Sequence, residues 1–100
     1  MATEFQLFKI KTTDRAGVIT AVAASLASRG VNIECFAATG ACDDLGERFG
    51  KFLIIIEADG AYAMVLRKVL KCLEVVLEVS EPYGLDTGEL QKWRKRFDSL

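Results

Sequence analysis

Between Phe5 and Val79 the apolar residues switch repeatedly between a spacing of two and a spacing of three to four, which restricts the chain to alternating strands and helices. Few folds accept that order. Phe5 to Thr12 reads as a strand, with Phe8, Ile10 and Thr12 on one face and Leu7, Lys9 and Lys11 on the other. After a turn over Thr13 to Gly17, Val18, Val22 and Leu26 recur every four residues until Ser28, Arg29 and Gly30 stop the helix. Val31 to Ala38 returns to alternation, and Gly40 to Gly46 carries the glycines and aspartates of a hairpin connection. Arg48 to Ala58 then holds the β-branched run of Phe52 to Ile56, short enough for a strand covered on both faces. Asp59 is placed to cap a second helix, in which Tyr62, Leu66, Val69, Leu70 and Leu73 share a face opposite Arg67, Lys68 and Lys71. Val75 to Val79 is a fourth strand, ended at Pro82, Tyr83 and Gly84.

The order is βαββαβ, a ferredoxin-like α+β sandwich. Right-handed crossovers place the first and third strands at the centre of a four-stranded antiparallel sheet, the second and fourth at its edges, and both helices on one face. Residues 1–84 form this domain. Residues 85–100 form an amphipathic helical extension, with Leu90, Trp93, Phe97 and Leu100 on one stripe among Lys92, Arg94, Lys95 and Arg96. A chain of 100 residues buries about 65% of its unfolded surface, enough for one core without disulfides or a metal.

Composition narrows the chemistry. The chain has no histidine, which removes the commonest general base and the commonest metal ligand. A binding module is favoured over an enzyme, with no cofactor and no metal expected. A formal net charge of −1 gives no electrostatic footprint for nucleic acid. No signal-like or membrane-spanning stretch is visible, so a cytoplasmic protein away from membranes is expected. Cys35, Cys42 and Cys72 lack a metal or redox spacing and read as buried, reduced thiols.

The stretch Thr13, Asp14, Arg15, Ala16, Gly17, Val18 and Ile19, its alanine-rich helix, and then Arg29, Gly30, Val31, Asn32 and Ile33 resemble the ACT domain family. In that family Asp-Arg-Pro-Gly leads into a helix ending in Gly, and Ile/Val-Asn-Ile starts the second strand. The resemblance covers about residues 5 to 81. Ala16 departs from it, standing where the family usually has a proline that presets φ at the first helical turn. The resemblance implies a non-catalytic regulatory domain, commonly a homodimer, that binds an amino acid or similar effector near an interface. On this chain any output, such as control of a metabolic enzyme or regulator, is expected to act in trans.

By resemblance the effector site maps onto Asp14, Arg15, Gly17, Val18, Ile19, Asn32 and Ile33. The physics agrees: a helix N-terminus favours a carboxylate, Gly17 admits close approach, and Asn32 offers a donor and an acceptor. Each residue also has a plainer role. Asp14 can cap the helix, Arg15 can be a solvated charge, Gly17 can serve the turn, Asn32 can bond the backbone, and Val18 and Ile19 can be core. A module of the same fold that has lost ligand binding and only associates with partners is the alternative function.

Strand parity without bulges puts Phe8, Ile10, Ile33, Cys35, Phe52, Ile54, Ile56, Val75, Leu77 and Val79 against the helices. The other face then carries Phe5, Leu7, Phe36, Leu53, Ile55 and Val76, too apolar to leave in water. Either the tail helix covers it through Leu90, Trp93 and Phe97, or a second subunit does. Asp43, Asp44 and Glu47 lack the spacing of a calcium loop and read as a solvated hairpin. The tail cations read as the outer face of a helix packed on its own domain. Acylphosphatases resemble this topology, yet the glycine-rich phosphate cradle they need is missing. An RNA-binding sheet fails as well, because the third strand offers aliphatics where bases would stack.

Overall fold

The computed structural model describes residues 4–98. β1 (Phe5–Thr13) leads through a short loop to α1 (Val18–Ala27), which buries Val18, Val22 and Leu26 at the four-residue spacing of one helical face. The amides of Ser28, Arg29 and Gly30 bond back onto Ala24, Leu26 and Ala27, and Gly30 at φ 69° turns the chain out of the helix. β2 (Asn32–Cys42) and β3 (Arg48–Glu57) form an antiparallel hairpin. Asp59 then caps α2 (Gly60–Lys71), its Oδ1 accepting the Tyr62 amide at 2.7 Å. β4 (Val76–Val79), β5 (Tyr83–Leu85) and α3 (Thr87–Asp98) complete the described chain.

The sheet order is β2-β3-β1-β4, all antiparallel, so β1 and β3 are central as the crossover rule requires. The fold is α+β and ferredoxin-like. Phe8, Ile10, Phe52, Ile54, Ile56 and Val79 meet Val22, Leu26, Ala63, Leu66 and Leu70 in one buried cluster between the sheet and its two helices. On the sheet's back, Leu90 of α3 joins Leu7 and Ile55 in a second cluster, flanked by Phe5, Cys35, Leu53, Leu85 and Trp93. α3 therefore covers part of the apolar back face. A reciprocal cap starts it: Asp86 Oδ1 accepts the Glu89 amide at 2.8 Å, and Glu89 Oε1 accepts the Asp86 amide at 3.5 Å. Phe97 stays 45% exposed, and Leu100 lies outside the described residues.

The structure corrects the sequence reading in several places. Cys42 and Cys72 are exposed rather than buried, because both fall at element ends on the surface. β2 does not stop at Ala38. Gly40 pairs with Gly50 inside the ladder, and the turn falls at Asp43, whose Oδ1 accepts the amides of Leu45 and Glu47, both at 2.9 Å. Asp43 of the acidic cluster thus holds a turn. Pro82 does not end the pairing either. β5 returns to β1 through Phe5↔Leu85 and Leu7↔Tyr83, sharing with β4 the edge of β1 that faces away from β3.

Parity fails at two bulges. In β2, Ile33 opposes Ile56 while Cys35 opposes Ile55, so Glu34 is the extra residue and everything after it changes face. Cys35 moves to the back cluster, and Phe36 moves to the helix side, edge-on to Phe52 at 5.6 Å. Between β1 and β4, Lys11 opposes Glu78 and Thr12 opposes Val76, which skips Leu77. Val76 packs on the helix-side core, and Leu77 is left 53% exposed.

Candidate functional site

The loop between β1 and α1 borders a cleft of about 490 Å³. Gly17 lines it as the N-cap of α1 with φ 83°, a left-handed conformation that glycine adopts without strain. No side chain caps α1, and no acidic residue stands in its first turn. The Val18 amide reaches the Arg15 carbonyl at 3.4 Å, and the following first-turn amides and the positive end of the dipole are left for an anion. Thr13 also lines the cleft, and its buried hydroxyl oxygen has no hydrogen-bond partner among the described residues.

Asp14, Arg15, Gly17, Val18 and Ile19 all line this cleft. Asp14 does not cap the helix. It accepts a hydrogen bond from Arg48 Nε at 2.8 Å, and that bond, reinforced by the opposite charge, holds the Arg48 guanidinium above its ordinary pKa. Arg15 reaches Glu74 at 4.0 Å with both side chains exposed, a pair that water screens heavily. Val18 is buried in the helix-side core, whereas Ile19 is 56% exposed.

Asn32 and Ile33 stand elsewhere. Asn32 pairs with Glu57 in β3, and Glu57 pairs with Phe5 at the start of β1, eight residues from the loop. At strand rise that separation is about 26 Å. Asn32 Nδ2 donates to Glu57 Oε2 at 3.0 Å, and Ile33 packs against the helix-side core. Within one chain these two residues do not reach the loop cleft.

Other cleft residues escaped the sequence reading. Thr12, Thr13, Thr20, Thr39, Gly40 and Gly50 line it because the β2-β3 hairpin extends to Cys42 and brings Gly40 and Gly50 beside the end of β1. Their signal was the pair of glycines ten residues apart on the two sides of a turn. A second, larger concavity, about 750 Å³, lies on the other face of the sheet, beside Lys9, Lys11 and Lys51. Among the described residues no group of three or more Cys, Asp or Glu is placed to hold a metal ion, and no helix is long and apolar enough to cross a membrane.

No protein-family model matches the sequence. No curated protein matches it. Solved structures do. The chain is similar to the ACT domain from GTP pyrophosphokinase of Chlorobium tepidum, with a TM-score of 0.59 and 17% identity over 84% of this chain and 100% of that one. It is also similar to an ACT domain protein from Streptococcus pneumoniae, with a TM-score of 0.52 and 17% identity over 79% of this chain and 90% of that one. Those neighbours share its sheet and helix arrangement, so the fold is that of ACT domain structures.

Proposed function

We propose that this chain is a non-catalytic regulatory domain that binds an amino acid or similar small metabolite at the β1-α1 cleft and signals by changing how subunits or partners associate. One observation carries the reading. The uncapped first turn of α1 opens onto a cleft that Thr13, with its buried and unsatisfied hydroxyl, also lines, so donors for a carboxylate stand beside a further polar residue. The fold is one whose solved neighbours are ACT domains, which supports small-ligand regulation in general.

A homodimer belongs to this proposal. β2 is an edge strand of eleven residues, able to pair with its own copy about a twofold axis. Asn32 and Ile33 lie on that edge and could complete a cleft only in a second copy. Light scattering at micromolar concentration should give twice the 11.0 kDa chain mass; a monomer alone would end the dimer proposal.

The effector test is a thermal-shift screen against the common amino acids, followed by titration calorimetry. A ligand at one hundred times its Kd stabilises the folded state by about 2.7 kcal/mol, a clear rise in Tm. If no amino acid or related acid raises Tm, the second reading takes over: an association module of the same fold without a ligand. Asp14 favours that reading, since Arg48 already engages its carboxylate.

A further inference from the structure

α3 covers only part of the sheet's back. Lys9 and Lys11 continue along β1 on the face of Leu7, and Lys51 continues along β3 on the face of Ile55 and Leu53. Lys11 and Lys51 are direct cross-strand partners, and like charges so placed destabilise a sheet. Their ammonium groups lie 4.6 and 5.9 Å from the centroid of the Phe49 ring, which offsets part of that repulsion. Among the described residues, no ion pair within 4.0 Å engages any of the three lysines. They border a concavity of about 750 Å³ that Leu53 also lines and that contains a single acid, Glu78. That volume is in the range of sites that enclose small organic ligands.

We propose that this groove binds a small organic anion, its acidic head between Lys11 and Lys51 and its apolar body along Leu53 and Phe49. Lys11 also stands across from Glu78 of β4 without an ion pair within 4.0 Å among the described residues, so the single carboxylate beside the two cations leaves both to gain from one anion that bridges them. The apolar lining selects an aryl or acyl body over an inorganic ion. The site opens on the other face of the sheet from the β1-α1 cleft, although Ala38, Thr39 and Phe52 border both, and does not depend on an effector there. A polyanionic chain fits less well, because the basic surface is short and Glu78 interrupts it.

The test is titration of the full chain with anilinonaphthalene sulfonate, followed by fluorescence and by amide chemical shifts. Saturable binding that shifts Lys9, Lys11, Phe49 and Lys51, and that phenyl phosphate displaces, is expected. Removing both ammonium groups with Lys11→Gln and Lys51→Gln should weaken it about tenfold or more, as loss of charged hydrogen bonds implies. Lys92→Gln with Lys95→Gln should leave it unchanged. Glu78→Gln keeps all three lysines and should tighten binding, a gain that a misfolded protein would not give. The proposal is overturned if the double lysine variant, shown folded by circular dichroism, binds as the wild type does. It is equally overturned if uncharged anilinonaphthalene binds as tightly, if Glu78→Gln has no effect, or if only single-stranded DNA or anionic vesicles show the lysine dependence.

Discussion

Thr12 and Gly50 face each other across β1 and β3 with no room for a further carbon, since a Cβ built on Gly50 would overlap the Thr12 Oγ1. Thr12 is fully buried, and both residues line the β1-α1 cleft. Gly50→Ala should therefore cost about 1–3 kcal/mol through overpacking, read as a lower urea midpoint at constant slope. An unchanged midpoint would mean that the Thr12 hydroxyl swings aside at no cost.

Two other glycines should respond to alanine with opposite signs. Gly17 has φ 83° and open space around it, so Gly17→Ala meets no clash but carries roughly 1–2 kcal/mol of left-handed strain. Gly60 has ordinary backbone and starts α2, so Gly60→Ala should stabilise by about 0.4–1 kcal/mol. Thermal melts of the two variants falling on the same side of the wild type would contradict this account of the loop.

The β4 bulge makes a similar pair. Val79 is buried in the helix-side core, and Val79→Ala should cost roughly 2 kcal/mol. Leu77, two residues away, is exposed, and Leu77→Ala should stay within about 0.5 kcal/mol. Equal losses in chemical denaturation would put Leu77 back in the core and remove the bulge.

Cys35 lies against the back cluster beside Leu7, Ile55 and Leu90. Burial first, and the Glu34 charge second, push its thiol above the ordinary value, while Cys42 and Cys72 are exposed. A thiol whose folded pKa is raised contributes stability below its unfolded pKa and loses it as pH rises through the folded one. Alkaline pH should thus loosen the packing of α3, and iodoacetamide should label Cys42 and Cys72 before Cys35. Leu90→Ala should cost about 2–5 kcal/mol and speed Cys35 labelling. Equal labelling rates of all three thiols in the wild type would show that α3 does not protect this site.

Much of the architecture was legible because it is local. Val18, Val22 and Leu26 repeat at helical spacing whatever they pack against, and Asp59 caps α2 through its own neighbours. Part of the cleft was legible for the same reason, since Asp14 to Ile19 are contiguous in one loop. Thr39, Gly40 and Gly50 were not, because they enter only through the register of a hairpin whose turn is set by Asp43.

The sequence by itself determined the βαββαβ order, the phase of α1 and the central place of β1 and β3, all consequences of periodicity and crossover handedness; it missed β5, and in α2 it put Tyr62 on the buried face, where Ala63 stands instead. Tertiary structure alone decided which side several residues face. Glu34 bulges out of the β2 register, where Arg94 of α3 binds it at 2.7 Å; Cys35 and Phe36 exchange faces as a result. It also decided that Asn32 lies at the opposite end of β1 from the loop, and that Lys11 stands directly across from Lys51. The reason is physical. Side-chain period is written in the chain, but register depends on cross-strand partners, and one inserted residue reverses every face that follows.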